Sequence, residues 1–154
     1  MKIYNLGSLN IDYVYQVPHF VRPGETLSSA QLSTFPGGKG LNQSVALGKA
    51  GATIIHGGFI GQSDPWLAKV LSDAGVDTSH LESASVPSGH AIIQVNTEGQ
   101  NCILLFAGAN HCFTAEYAEK VLSDAKPGDI LLLQNEINGL PEIFEIAHKK
   151  GLQI

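Results

Sequence analysis

The chain has 154 residues, 44% of them hydrophobic and 15% charged, which suffices for one globular domain with a buried core. Its formal net charge of −5 argues against a nucleic-acid binder, because such proteins usually carry a basic patch. No apolar run approaches the ~18 residues of a membrane span, no secretory signal pattern is present, and two cysteines provide no disulfide framework, so we expect a cytoplasmic protein without membrane or nucleic-acid partners.

Strand and helix patterns alternate along the chain. Strands are predicted at 2–9, 12–17 and 32–35, followed by a helix at 41–50 and a buried strand at 53–60. Next come a helix over 67–74 and a β-hairpin over 89–95 and 101–106. A further helix has Thr114 as its N-cap and an apolar stripe that extends to Ala125. A short apolar strand at 130–133, a helix over 140–147 and the start of a strand at 152–154 complete the order.

This order predicts an α/β fold with a parallel sheet covered by helices on both faces. The hairpin segments, about 11–35 and 89–106, interrupt the alternation, and we interpret them as a small separate sheet that could cover a ligand. A doubly wound sheet rarely stops within the first residues of a strand. We therefore expect residues 1–154 to be the N-terminal part of a longer domain.

The most informative segment is Pro-Gly-Gly-Lys-Gly-Leu-Asn-Gln at 36–43, where glycines surround Lys39 and a helix begins. Glycine lets backbone approach a ligand closely, and the free N–H groups of a helix start bind anions or hydroxyls. Its spacing is not that of a Walker loop or of the dinucleotide fingerprint, which disfavours a nicotinamide-dependent dehydrogenase. Two interpretations stay open: a site for a small polar ligand, or a helix start packed tightly on the sheet.

Three further polar residues follow predicted strands, where open α/β sheets bind ligands. Asn10 and Asp12 come after the first strand, two apart, so in extended chain their side chains share a face. Glu136 comes after the strand at 130–133. An Asx turn and a surface-loop carboxylate are the alternatives. The six histidines show no metal-binding spacing, so we predict no metal site.

Together these segments resemble the ribokinase-like family of carbohydrate kinases, with the chain matching only the N-terminal half of such an enzyme. The Asn42-Gln43 ending of the glycine-rich signature is typical of the ribose-specific members. Where the family usually has Asp and then Gly after Gly61, this chain has Ser63 and Trp66. The segments that carry the resemblance are 7–12, 23–26, 37–43, 107–110 and 134–136.

The resemblance implies a three-layer αβα body with a β-sheet lid that often mediates dimerisation, and so a homodimer through the lid. It implies Mg²⁺- and ATP-dependent phosphorylation of a primary hydroxyl of ribose or a related sugar, with a monovalent cation such as K⁺. The apolar lid residues expected to be partly exposed are Leu32, Phe35, Ile93 and Ile103. The residues that the resemblance implies in sugar binding are Asn10, Asp12, Gly38, Lys39, Asn42 and Glu136.

The family's catalytic base, an Asp in a Gly-Ala-Gly-Asp motif, is absent from this chain. We therefore assign no catalytic residue or metal ligand within it and expect the ATP, Mg²⁺ and K⁺ sites in the missing C-terminal half. Without them the chain alone is expected to be inactive. The alternatives are a kinase for another sugar or nucleoside (fructose, a keto-deoxy sugar acid, pseudouridine) and a non-catalytic sugar-binding module.

Overall fold

The computed structural model describes all 154 residues and contains eight strands and four α-helices. None of the helices has the length and apolar character needed to cross a membrane. A short 3₁₀ turn, Gly108–His111, follows the seventh strand. In chain order the elements are β1 (Ile3–Leu6), β2 (Asn10–Gln16), β3 (Gln31–Gly37), α1 (Lys39–Lys49), β4 (Ile54–Gly61), α2 (Trp66–Asp73), β5 (Asp77–Ala84), β6 (Gly89–Val95), β7 (Asn101–Phe106), α3 (Ala115–Val121), β8 (Ile130–Leu133) and α4 (Leu140–Lys149).

The main sheet is parallel and has the strand order β5-β4-β1-β8. Tyr4 in the inner strand β1 lies opposite Ile55 of β4 and Leu131 of β8. Every residue of β4 is buried, as its apolar run predicts for a strand covered on both faces.

Alternating side chains on this sheet divide the core into two clusters. Tyr4 packs in one cluster with Ile143 of α4, and Ile54 packs in the other with Leu41 of α1 and Leu67 of α2. Burying each such aliphatic side chain contributes ~1.5–3 kcal/mol. Helices therefore cover both faces of the sheet, which confirms the predicted three-layer αβα fold class.

A second sheet, with the strand order β3-β2-β6-β7, projects from the main body. β2 pairs antiparallel with β3 and parallel with β6, and β6 pairs antiparallel with β7. Asn10 at the start of β2 lies opposite both Gly37 and Gly89, so the strand ends that join the body lie together. All six residues of β7 are exposed.

Several details differ from the predicted elements. β5 was not predicted, because its sequence is polar and it occupies an edge of the main sheet. The strand predicted at 2–9 ends at Leu6, and α1 begins at Lys39 rather than at residue 41. α3 ends at Val121, short of Ala125. The strand predicted at 152–154 amounts to one bridge between Ile130 and Gln153.

Candidate functional site

Polar residues from three separate segments meet where β1, β8 and α1 come together. Ser8 and Asn10 follow β1, Lys39 begins α1, and Glu136 follows β8. The Leu41 N–H donates to the Ser8 carbonyl at 2.9 Å and fastens the start of α1 to the segment after β1. The site therefore lies at the carboxyl ends of parallel strands, where ligands bind in open α/β sheets.

Glycine at the start of α1 permits a very close approach of two backbones. Gly38 has φ 92°, and a Cβ there would lie 2.8 Å from the Ser8 carbonyl oxygen. A Cβ at Gly40 would lie 2.5 Å from the Ser8 nitrogen. The tight packing suggested by the sequence is present, and it also brings the free N–H groups of the helix start to the polar site.

Glu136 is held at the start of α1 by three hydrogen bonds. Its Oε2 accepts from the Ser8 hydroxyl at 2.6 Å and from the Lys39 backbone N–H at 3.0 Å, and its Oε1 pairs with Lys39 Nζ. Burial opposes ionisation of Glu136, but the hydrogen bonds from Lys39 and Ser8 outweigh burial and lower its pKa. Glu136 is therefore a fixed carboxylate at neutral pH.

Asp12 is a half-buried carboxyl group without a hydrogen-bond donor of its own. It lies on the same face of β2 as Asn10 and over the bare backbone of Gly37, where any Cβ would overlap it. Burial and, next, the negative charge of Glu136 raise the pKa of Asp12 above its ordinary value. A ligand that donates hydrogen bonds would satisfy this group.

Asn10 is buried and is linked to a residue that the sequence pattern did not assign to the site. Its Oδ1 accepts a hydrogen bond of 2.7 Å from Asn110 Nδ2, and Asn110 Oδ1 accepts one of 2.9 Å from the Leu9 N–H. Ser8 was missed in the same way. The only signal for Asn110 is its place in segment 107–110, which suggests no role by itself.

A buried network supports the first turn of α1 from below. Asn5 Nδ2 donates to the Gly40 carbonyl at 2.8 Å and to Ser44 Oγ at 2.7 Å, and Gln134 Nε2 donates to Asn5 Oδ1 at 2.9 Å. Ser44 Oγ lies 2.7 Å from Nδ1 of His56, whose pKa burial lowers to about 4. His56 is therefore neutral at physiological pH and joins α1 to β4.

A cavity of about 210 Å³ opens between the end of β7 and the loop after β8. Among the predicted site residues, Asn10 and Glu136 line it, and Lys39 reaches it through its pair with Glu136. Asn42 is exposed one turn into α1, where its backbone N–H donates to the Gly38 carbonyl at 3.0 Å. The other lining residues are Leu105, Phe106, Ala107, Asn110, His111 and Asn135.

Another cavity, of about 200 Å³, lies on the second sheet and is lined mainly by apolar side chains such as Tyr15, Val17 and Ile92. It holds no charged group, so we assign polar-ligand binding to the cavity beside Glu136. The chain has no group of three or more His, Cys, Asp or Glu residues placed to hold a metal ion.

The family model described as "pfkB family carbohydrate kinase" matches residues 2–151. The chain belongs to this family. The ribokinase of Haemophilus influenzae is 35% identical over 156 residues, which cover 97% of this chain and 50% of that protein. The crystal structure of Thermotoga maritima ribokinase superposes with a TM-score of 0.86 at 36% identity, covering 100% of this chain and 51% of that one.

Arabidopsis thaliana ribokinase, solved as a complex with ribose and ATP, superposes with a TM-score of 0.80 at 25% identity, over 98% of this chain and 51% of that one. This pfkB-family chain thus spans about half the length of the relatives it matches. The family resemblance and the fold class inferred from the sequence are confirmed.

Proposed function

We propose that this chain is the sugar-holding part of an ATP-dependent kinase that phosphorylates a primary hydroxyl of ribose or a related sugar. The observation that carries the proposal is the meeting of Asn10, Asp12, Lys39 and Glu136 at one edge of the sheet, in a chain whose relatives are ribokinases. An amide, two carboxylates and an ammonium group offer both donors and acceptors, as a polyhydroxylated ligand requires.

Each proposed residue has a distinct task. Asp12 accepts hydrogen bonds from sugar hydroxyls, because it has no donor within the chain. Lys39, the Gly38 backbone and Asn42 add donors at the start of α1, and Glu136 fixes Lys39 in place. Holding the acceptor hydroxyl in one orientation is a large part of what phosphoryl transfer needs from the protein.

ATP would supply the transferred phosphoryl group, and the family resemblance implies sites for ATP, Mg²⁺ and K⁺. We place those sites, and the general base, outside residues 1–154. The chain alone then binds sugar without turnover. Both cysteines are free thiols, which supports a reducing cytoplasmic compartment.

We also propose that the second sheet acts as a lid and mediates homodimerisation. Leu32, Phe35 and Ile103 are about half exposed, Ile93 is half-buried, and Leu104 is 68% exposed. The strand pairing places Phe35, Ile93 and Ile103 together on one face of the sheet and Leu32 and Leu104 on the other. Exposed apolar side chains grouped on one face are typical of an interface. Light scattering should give twice the monomer mass, and Ile103→Lys should give the monomer. An unmodified chain that is monomeric and binds no apolar dye would contradict this.

A coupled ADP-release assay with Mg²⁺, ATP and K⁺ tests the activity on the chain and on a longer reading frame that contains it. Ribose is compared with fructose, a keto-deoxy sugar acid and pseudouridine. We expect ribose-dependent ADP only from the longer frame. Turnover by the 154-residue chain would refute its inactivity, and a preference for another acceptor would change the substrate.

Glu136→Gln in the longer frame should raise the KM for ribose about tenfold, because a charged hydrogen-bond partner of Lys39 is lost. Glu145→Gln is the matched control, since this exposed carboxylate on α4 pairs only with Lys149. Ribose protection of both proteins against thermal unfolding, with no ADP from either, would favour the non-catalytic binding module.

A further inference from the structure

Asn110 lies at the corner where the second sheet leaves the main body. It is 2% exposed, and it belongs to the 3₁₀ turn that follows β7. The turn is held to the loop before β6 by a hydrogen bond of 2.9 Å from the Ala109 N–H to the Pro87 carbonyl. This backbone hydrogen bond fixes the position of Asn110 independently of its side-chain contacts.

The Asn110 side chain has only one possible orientation. The Leu9 backbone N–H can only donate, so the amide group of Asn110 must turn its oxygen toward Leu9, at 2.9 Å. Its nitrogen then faces Asn10 at 2.7 Å, and Asn10 must accept with its own oxygen. One backbone N–H therefore determines the orientation of two successive amide groups.

The contact between the two amides is closely fitted. A Cβ at Gly89, the first residue of β6, would overlap both Asn110 Nδ2 and Asn10 Oδ1. The bare backbone of Gly89 leaves just enough room for the two side chains to meet. Asn10 Nδ2 makes no hydrogen bond within the chain, whereas Asn10 lines the cavity beside Glu136.

We propose that Asn110 is a positioning residue that fixes Asn10 with its amide nitrogen toward the cavity, so that Asn10 serves the ligand as a hydrogen-bond donor. Asp12, two residues along the same face, serves as an acceptor. The pair then requires neighbouring hydroxyls in a set order, one accepting from Asn10 and one donating to Asp12. The ligand part of this inference rests on the proposed sugar-binding function.

The orientation itself can be measured without any ligand. In the ¹⁵N,¹³C-labelled chain, NMR should detect a through-hydrogen-bond coupling between Asn110 Nδ2 and the side-chain carbonyl carbon of Asn10. Absence of that coupling, with the two side-chain signals assigned, would overturn the proposal. Because it uses the unmodified chain, this measurement does not depend on whether a variant folds.

The role of the orientation is tested with Asn110→Asp. Its first carboxylate oxygen still accepts from the Leu9 N–H, but the second faces the Asn10 oxygen and forces that amide to turn over. The Kd for D-ribose, measured by calorimetry, should rise about tenfold, the value of one lost hydrogen bond. In an Asn10→Ala background the same substitution should change it less than about twofold, because Asn110 acts through Asn10.

Asn138→Asp is the matched control, since Asn138 makes the same kind of paired contact, with the backbone N–H and carbonyl of Phe113, away from the cavity. It should lower stability without changing the Kd. An equal loss of ribose affinity from Asn110→Asp with and without the Asn10 side chain would overturn the positioning role. Failure of the unmodified chain to bind ribose while the NMR coupling is present would instead overturn the proposed sugar-binding function.

Discussion

Replacing Gly40 by alanine tests whether the start of α1 is limited by backbone contact. Helix propensity alone predicts a gain of ~1 kcal/mol, because alanine is the better helix former. The structure predicts the opposite sign. A Cβ at this position would lie 2.5 Å from Ser8 N, 2.6 Å from Gly7 C and 2.7 Å from Gly7 Cα.

All three distances are far below the ~3.5–4.0 Å of a relaxed carbon contact. The atoms belong to the backbone that follows β1, so no flexible side chain can move aside. Overpacking of this kind costs ~1–3 kcal/mol, and we place Gly40→Ala at the upper end, which leaves a net loss of ~1–2 kcal/mol after the propensity gain. The displaced helix would also lengthen the hydrogen bond of 3.2 Å from the Gly40 N–H to Ser8 Oγ.

Urea unfolding followed by circular dichroism measures the change in the free energy of unfolding. Gly48→Ala is the control. Gly48 lies at the opposite end of α1, and a Cβ there would overlap the Ala74 carbonyl that follows α2. Both variants should be destabilised, but only Gly40→Ala should weaken ribose binding. A Gly40→Ala protein as stable as the unmodified chain would refute the argument from backbone contact.

Two further predictions concern pH. Because the pKa of Asp12 is raised above 3.8, ribose affinity should fall as the pH decreases through that raised value. Calorimetry should find that the affinity of Asp12→Asn depends less on pH. An unchanged pH dependence in this variant would exclude Asp12 as its source. Folded His56 has a pKa of about 4 against an ordinary 6.5, so its stabilising contribution is complete above 6.5 and is lost as pH falls toward 4. Linkage predicts that the free energy of unfolding is ~2 kcal/mol lower at pH 5 than at pH 7. Urea unfolding at the two pH values should show this difference. It should be smaller in His56→Asn and unchanged in His148→Asn.

The sequence predicted the layers of the fold because its apolar residues repeat at helical and strand periods. β5 has no such repeat, because Asp77–Ala84 is an edge strand with mostly polar side chains. The start of α1 was placed two residues late because glycines at the helix start carry no apolar signal. Segment boundaries of this kind depend on tertiary contacts such as that between Leu41 and Ser8.

For the candidate site, the sequence predicted that Asn10, Asp12 and Glu136 follow strands, because strand ends are visible in a pattern. It could not locate their supports. Asn110 contacts Asn10 across 100 positions of chain, and Ser8 contacts Glu136 across 128. Spacing along the chain contains no information about pairs so distant, so these residues became apparent only once the strands were placed side by side.

The second sheet is attached to the main body at one end only. β2 and β6 begin, and β3 and β7 end, at one corner of the sheet, so all four strands join the body at the same end. From Asn10 to Gln16 the arm extends ~20 Å at ~3.3 Å per residue. A rotation of ~10° about the attached end would therefore move the far end by ~3.5 Å. A small change in packing around Asn110 and Gly89 that rotated the sheet would therefore move its far end, at Gln16 and Gln31, much farther.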